Sequence, residues 1–292
     1  VSDQEIGVEI ALDCVPCLLR QAVETVRMVT DRPDEQERVV RRALSVLQTL
    51  DFGETPPRMA AEIHRIITDE LGLADPYLEV KRQSTGLANG IVARLGAVSA
   101  DAADAFEVAL RLAIAANVID FGVGVAVERI EAEILRARDS PLPAEEVEAL
   151  RNAIDRAQRI LYLGDNAGEV AFDRLLIQHM PAGRVTYVVR GGPIINDATR
   201  EDAEAVGMHH LVDIVDNGSV APGTILELCS ESFRRRFWSA DLIIAKGQGN
   251  YESLSGEPAP VFFLLKAKCP VIAEHLGCRQ GDLVVRRSRR VT

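Results

Sequence analysis

The sequence predicts an α/β protein in which a Rossmann-like, three-layer sheet domain follows an N-terminal helical domain. Two observations carry this expectation. Helical periodicity dominates the first half, and from about residue 158 short apolar runs alternate with helical stretches in a βαβ rhythm. A chain of 292 residues with 47% apolar side chains has ample material for a core. The expected division is a helical domain over 1–155, itself divisible into two subdomains and covering a cleft, and an α/β domain over 156–292.

From Pro16 to about Met28, apolar side chains recur at Leu18, Ala22 and Val26, leaving Arg20, Glu24 and Arg27 toward water. Similar periodicity covers roughly 34–50, 56–71 and 103–115, and "TPPRM" suits a helix start because proline is pre-organised for the first turn. "LPAEEVEALRNAIDRAQ", 142–158, is a further amphipathic helix whose early acids favour its amino end. In "KRQSTGLANGI", Gly86 and Gly90 read as turn or helix-boundary residues. Strands are expected at Arg159–Leu163, Arg184–Val189, His210–Val215, Asp241–Ala245, Pro270–Ala273 and Leu283–Val285. Helical stretches between them are expected at Glu169–His179 and Thr224–Cys229.

Forty-four acids against 33 Lys and Arg give a net charge of -11, which disfavours a nucleic-acid partner. The basic stretch "RRSRR", Arg286–Arg290, reads as a solvated terminus. No tract of eighteen uncharged apolar residues occurs, so no membrane span is expected, and the acidic start "VSDQEIGVEI" gives a cytoplasmic expectation.

Five cysteines argue against a disulfide framework. Cys14 and Cys17 in "DCVPCLLRQ" have the spacing of a zinc or iron half-site, a redox pair or merely packed thiols. A closed metal site needs distant ligands such as Cys278, Cys269, His64 or His275.

The candidate chemistry lies at strand ends, where α/β sheets bind ligands. After "ILYL" come Asp165, Asn166 and Glu169; a carboxylate and an amide are hard oxygen donors suited to Mg²⁺ or Mn²⁺, and equally an Asx turn with a helix cap. "VVRGGPIINDAT" offers Arg190 as a cation, Gly191 and Gly192 as backbone donors, and Asp197 as a second hard ligand or as a cap. "AKGQGNYESL" offers Lys246, which can neutralise a phosphate, and a glycine turn of Gly247, Gln248, Gly249 and Asn250. "IVDNGSVAPGT" adds Asp216, Asn217, Gly218 and Ser219 after another strand, with the same choice between a polar turn and a phosphate contact. Neither the Walker nor the dinucleotide glycine pattern is present. In "AANVIDFG", Asn117 and Asp120 interrupt an apolar stretch at helical spacing.

Together "DCVPCLLRQA", "AANVIDFG", "LGDNAGEVAFD", "GGPIINDAT" and "AKGQGNYESL" resemble the metal-dependent damage-control phosphatase family, over nearly the whole chain and most closely its cysteine-pair group. The resemblance implies an α/β phosphatase domain with a helical companion and a Mg²⁺, Mn²⁺, Co²⁺ or Ni²⁺ ion at the sheet's carboxyl edge. By that similarity Asp165, Asn166 and Asp197 match the family's metal ligands, and Lys246 with "GQGN" its phosphate-site loop. Many relatives carry Asp where this chain has Gln248. Asn117 and Asp120 resemble polar residues facing the cleft, and the implied substrates are small phosphate esters such as sugar phosphates or damaged phosphometabolites. The competing classes are a phosphorylated-metabolite binding protein without turnover and a nucleotide-dependent α/β enzyme; turnover against a metabolite panel separates them.

Overall fold

The computed structural model describes residues 7–100, 104–117 and 127–288. The chain begins with helices α1 (Cys14–Val29), α2 (Pro33–Leu47) and α3 (Pro56–Leu71). Proline stands at the first positions of α2 and α3, and α3 stops at Gly72, whose φ of 63° is open to glycine at no steric cost. Their apolar stripes close a small core of Ala22, Val26, Val39, Ala43, Ile63 and Ile67. Then follow α4 (Leu78–Ala100), α5 (Ala105–Ala115), α6 (Val127–Arg138) and α7 (Ala144–Arg156). Asp104 caps α5 by accepting from the Glu107 N–H.

The second half alternates β1 (Ile160–Leu163), α8 (Val170–Ile177), β2 (Val185–Val189), α9 (Arg200–Ala205), β3 (Asp213–Asp216), α10 (Glu231–Ser239), β4 (Leu242–Lys246), α11 (Gly247–Leu254), β5 (Val261–Lys266), α12 (Pro270–Leu276) and β6 (Leu283–Arg287). The six strands lie in the order β3-β2-β1-β4-β5-β6, parallel except for β6 against β5. Strand order therefore reverses between β1 and β4, and a crevice opens beyond their carboxyl ends.

Both sheet faces are covered. Ile160, Tyr162, Ile244 and Leu264 point to a core with α5, α7 and α8, whereas Leu161, Leu163, Ile243 and Phe263 point to one with α10, α11 and α12. The alternation is the period of two expected of strands buried on both faces. Helices from the first half thus form one layer of the sandwich. α4 packs over the start of α8 through Ala88, Ile91, Ala171 and Phe172.

Several expectations are corrected. Pro270–Ala273 is the first part of α12, opened by the proline, and the fifth strand is Val261–Lys266. Its unbroken apolar run after "EPAP" is the stronger strand signal. Gly86 and Gly90 lie inside α4, tolerated because its buried face is carried by Ala88 and Ile91. Only Leu226–Leu228 of the expected 224–229 helix forms, as one 3₁₀ turn. "GQGN" is the first turn of α11 rather than a loop. Arg286 and Arg287 belong to β6, where Arg287 pairs with Glu145 and Glu146 of α7. Among the described residues no helix is long and apolar enough to cross a membrane.

Candidate active site

The crevice at the strand-order reversal is built by backbone stitching between two loops. After β1, the Asp165 carbonyl accepts from Ala198 N–H at 2.7 Å, and Ala167 N–H donates to the Asn196 carbonyl at 2.9 Å. Asn166 and Asp197 form an isolated antiparallel bridge, bringing the expected metal donors of two strand ends side by side. Thr199, not Asp197, caps α9: its side chain and Asp202 make a reciprocal capping box, which frees Asp197 for the cleft. Ile195 in the same loop has a φ of 45°, a strained geometry for a β-branched residue. It packs with Ile194 on Tyr77, so the first-half helices clamp this loop from outside.

The side chains form one buried network. Glu169 is fully buried and accepts from Asn117 Nδ2, from Asn166 Nδ2 at 2.7 Å and from Lys246 Nζ at 2.9 Å. Asn117 Nδ2 also donates to Asp165 Oδ2 at 3.1 Å. Lys246 Nζ donates to Asp173 Oδ1 at 2.6 Å, and Asp173 further accepts from the hydroxyls of Tyr162 and Tyr187, each at 2.8 Å. On the other side Arg190 Nε donates to Asp197 Oδ2 at 2.6 Å, while its Nη2 stands 3.9 Å from Asp165 Oδ1.

Burial, then the charges of Glu169 and Asp197, push the Asp165 carboxyl well above the usual range. Burial likewise raises Glu169 against the pull of Lys246, and Asp197 against that of Arg190. Burial alone would lower Lys246, but Asp173 and Glu169 hold its pKa above the ordinary lysine value. Four buried carboxylates (Asp165, Glu169, Asp173, Asp197) therefore face two buried cations, Lys246 and Arg190. The excess of two negative charges matches a divalent cation, which would relieve the repulsion that protons otherwise relieve. Asn117 Oδ1 is buried without a hydrogen-bond partner, a further oxygen beside this site. Among the described residues no three His, Cys, Asp or Glu side chains converge as a ready-made cage. The candidate donor set holds only two such side chains, Asp165 and Asp197, with the Asn166 amide as third, all oxygen and suited to a hard ion.

Other expected residues fall in different places. Asp120 lies outside the described residues. Gly191 N–H is committed to Ser219 O at 2.9 Å and Asn217 Oδ1 at 3.2 Å, so it is a brace rather than a free donor. Gln248 turns away from Asp165: its Nε2 donates to Glu252 Oε1 at 2.8 Å and Cys269 Sγ at 3.5 Å, and its Oε1 accepts from Lys268 N–H. Asn250 is fully buried, donating to the carbonyls of Gly164 and Lys246 and accepting from Thr224. Gly247 has a φ of 79°, and a Cβ there would lie 1.8 Å from Asp165 Oδ2. Gly249 abuts Gly223, where a Cβ would stand 2.3 Å from the Gly249 carbonyl oxygen.

Cys14 and Cys17 lie in the first turn of α1. Burial raises the Cys14 pKa, and the neighbouring Glu252, Cys269 and Cys17 add smaller raises. His64 faces Tyr77, and His275 Nδ1 lies 2.7 Å from the Tyr251 hydroxyl. Sequence reasoning missed Asp173. Its signal was a second acid one helical turn after Glu169, on the face that meets the lysine-bearing strand.

The fold and site define a Rossmann-like α/β protein with a buried, carboxylate-rich centre at the strand-order reversal. A family model for the damage-control phosphatase ARMT1-like domain matches residues 10–284. The chain is 35% identical to the damage-control phosphatase PH1575 of Pyrococcus horikoshii, covering 96% of this chain and 99% of that one. It is 34% identical to a damage-control phosphatase of Archaeoglobus fulgidus, with 94% and 97% covered. The crystal structure of the DUF89 family protein PH1575 superposes with a TM-score of 0.88 over 96% of this chain. The chain belongs to the ARMT1-like damage-control phosphatase family. Membership supports a phosphatase-type, metabolite-repair function, with the metal dependence general to such enzymes.

Proposed function

We propose that the protein is a cytoplasmic, metal-dependent phosphomonoesterase acting on small phosphorylated metabolites such as sugar phosphates or damaged phosphometabolites. The observation that carries this reading is the excess of buried carboxylate over buried cation where the strand order reverses. Asp165, Asn166 and Asp197 would hold the ion, Mg²⁺ or Mn²⁺ first and Co²⁺ or Ni²⁺ as alternatives. The bound ion would supply Lewis acidity toward the phosphoryl oxygens and the attacking water.

The remaining work belongs to the chain. Asn117, Asn166 and Lys246 hold the Glu169 carboxylate, which in turn fixes both asparagine amides. Lys246 is a positioning residue in this reading, because its ammonium is spent on Glu169 and Asp173 rather than aimed at substrate. Arg190 donates to Asp197, opposing the upward push of burial on its carboxyl, and brings a positive charge beside Asp165. Residues 156–292 carry the candidate ligands, and the helices of 1–155 cover them and contribute Asn117. The pair Cys14 and Cys17 supports the fold away from the reaction, as a structural zinc or iron half-site.

Phosphate release from a metabolite panel, measured after metal stripping and single-metal replacement, tests the reading. Release restored by Mg²⁺ or Mn²⁺ is expected, and Asp165→Asn should lose both metal affinity and release while keeping its fold. Tight binding of phosphorylated metabolites without release from any of them would overturn it in favour of a binding protein. Near-normal metal affinity and turnover in Asp165→Asn would remove Asp165 as a ligand.

A further inference from the structure

Beside the network lies a second set of buried polar atoms that the site's own hydrogen bonds leave unused. Asn217 is wholly buried, and Ser219 and Arg190 are 2% exposed. Asn217 Oδ1 accepts from the N–H groups of Gly191 and Ser219, at 3.2 and 2.9 Å, which fixes the orientation of its amide. Its Nδ2 has no partner. Ser219 Oγ also has none, nor do Nη1 and Nη2 of Arg190.

These atoms are held in place rather than left loose. A Cβ on Gly191 would stand 2.6 Å from the Gly218 carbonyl carbon, so the turn carrying Asn217 and Ser219 is pressed directly against the segment carrying Arg190. Gly218 has a φ of 74°, and Ser230 N–H donates to the Asn217 carbonyl at 2.9 Å, tying the turn to the start of α10. Rigid buried donors without acceptors mark a place where a ligand or water completes the hydrogen bonding.

Three of the four unused atoms are nitrogens that only donate, and the fourth is a hydroxyl, so the missing partner is rich in acceptor oxygens. Planar guanidinium paired with amide and hydroxyl donors suits a tetrahedral oxyanion. We propose that Asn217 Nδ2, Ser219 Oγ and the terminal nitrogens of Arg190 form the seat of the substrate's phosphoryl group, beside a Lys246 that has two of its three N–H donors taken by Glu169 and Asp173. The inference rests on the phosphatase reading for the identity of its anion. Because Asp165 and Asp197 flank Arg190, an anion enters this seat only once a cation has offset them, so phosphate binding depends on prior metal binding.

The test is binding of inorganic phosphate, followed by calorimetry, to the Mn²⁺-loaded protein and two variants. Ser219→Ala removes only the unpartnered hydroxyl, and Asn217→Asp keeps the acceptor oxygen while replacing the donor by an anionic oxygen. Expected are a loss of phosphate affinity of about tenfold for Ser219→Ala and about a hundredfold for Asn217→Asp, matching rises in KM for a phosphomonoester, and Mn²⁺ affinity within about twofold of wild type. If Asn217→Asp does not fold, Ser219→Ala decides alone. Wild-type affinity in the variants overturns the seat, as does failure of the Mn²⁺-loaded wild type to bind phosphate. Turnover that survives with unchanged KM in both variants removes the seat and leaves the phosphatase reading standing; phosphate binding that obeys the pattern without turnover of any monoester does the reverse.

Discussion

Gly247→Ala tests whether the first residue of α11 and the Asp165 carboxylate share one space. Gly277 supplies the reference: its φ is 69°, and a Cβ there meets nothing within 4 Å. Alanine at Gly277 therefore meets only the left-handed backbone penalty, about 1 kcal/mol once the stiffer unfolded chain is counted. Gly247, at φ 79°, carries the same penalty plus a Cβ 1.8 Å from Asp165 Oδ2 and 2.2 Å from its Cγ. Carbon contacts settle near ~3.5 Å, so the carboxylate must retreat by more than ~1 Å. That retreat breaks the 3.1 Å hydrogen bond from Asn117, adding about 1–3 kcal/mol for a buried charged acceptor left short of a donor. Urea unfolding of the metal-free variants should show a loss of about 1 kcal/mol for Gly277→Ala and about 2–4 kcal/mol for Gly247→Ala. Titration with Mn²⁺ should show normal affinity in the first and at least tenfold weaker binding in the second. Equal destabilisation of the two variants, with Mn²⁺ affinity intact in both, would refute the argument that Gly247 exists to make room for Asp165.

Lys246→Met leaves Glu169 and Asp173 buried without their cation and should cost about 3–5 kcal/mol in chemical unfolding at neutral pH. Adding Asp173→Asn should recover part of that loss, and a cost below ~1 kcal/mol would show that the ion pairs are not the anchor described. Burial lowers the His64 pKa from 6.5 to about 4, so the folded state holds the ring neutral. The unfolded chain then binds more protons between those values: His64's contribution is complete above pH 6.5 and is lost as pH falls toward 4. Thermal unfolding of wild type and His64→Gln should therefore differ in acid slope, with wild type losing more stability from pH 7 to 5, and parallel slopes would contradict the assignment. Cys14→Ser and Cys17→Ser should lower the melting temperature more than they change kcat; equally stable variants with turnover as poor as Asp165→Asn would move the pair into the reaction.

How much of this was legible in the sequence depended on whether a signal was local. The strand ends bearing Asp165, Asp197 and Lys246 follow unbroken apolar runs, so their convergence at one edge follows from parallel topology. Asn117 was readable as a polar break in an apolar helix. Its partners were not, because they lie 48 and 52 residues away. The direction of Lys246 was equally hidden. A lysine after a strand beside glycines signals phosphate chemistry by composition, but Asp173 on the neighbouring helix captures it. Pro270–Ala273 failed as a strand because four apolar residues do not distinguish strand from helix, and the opening proline was the better guide. α4 was missed because its two glycines outweighed a buried face set by packing against α5, α6 and α8.

The spacing of the network's members along the chain has a consequence for synthesis. Glu169 and Asp173 precede Lys246 by 77 and 73 residues, and Lys81 precedes its partner Asp202 by 121. At ribosomal elongation rates Glu169 and Asp173 emerge about 4–15 s before the lysine that neutralises them. Until β4 is made, the nascent chain carries an acidic cluster that cannot be buried, and the crevice has only one wall. The centre therefore closes late, and a chain stopped before residue 246 lacks both the cation and the strand that complete it. On the proposed metal-dependent reading, ion binding would therefore follow the docking of β4.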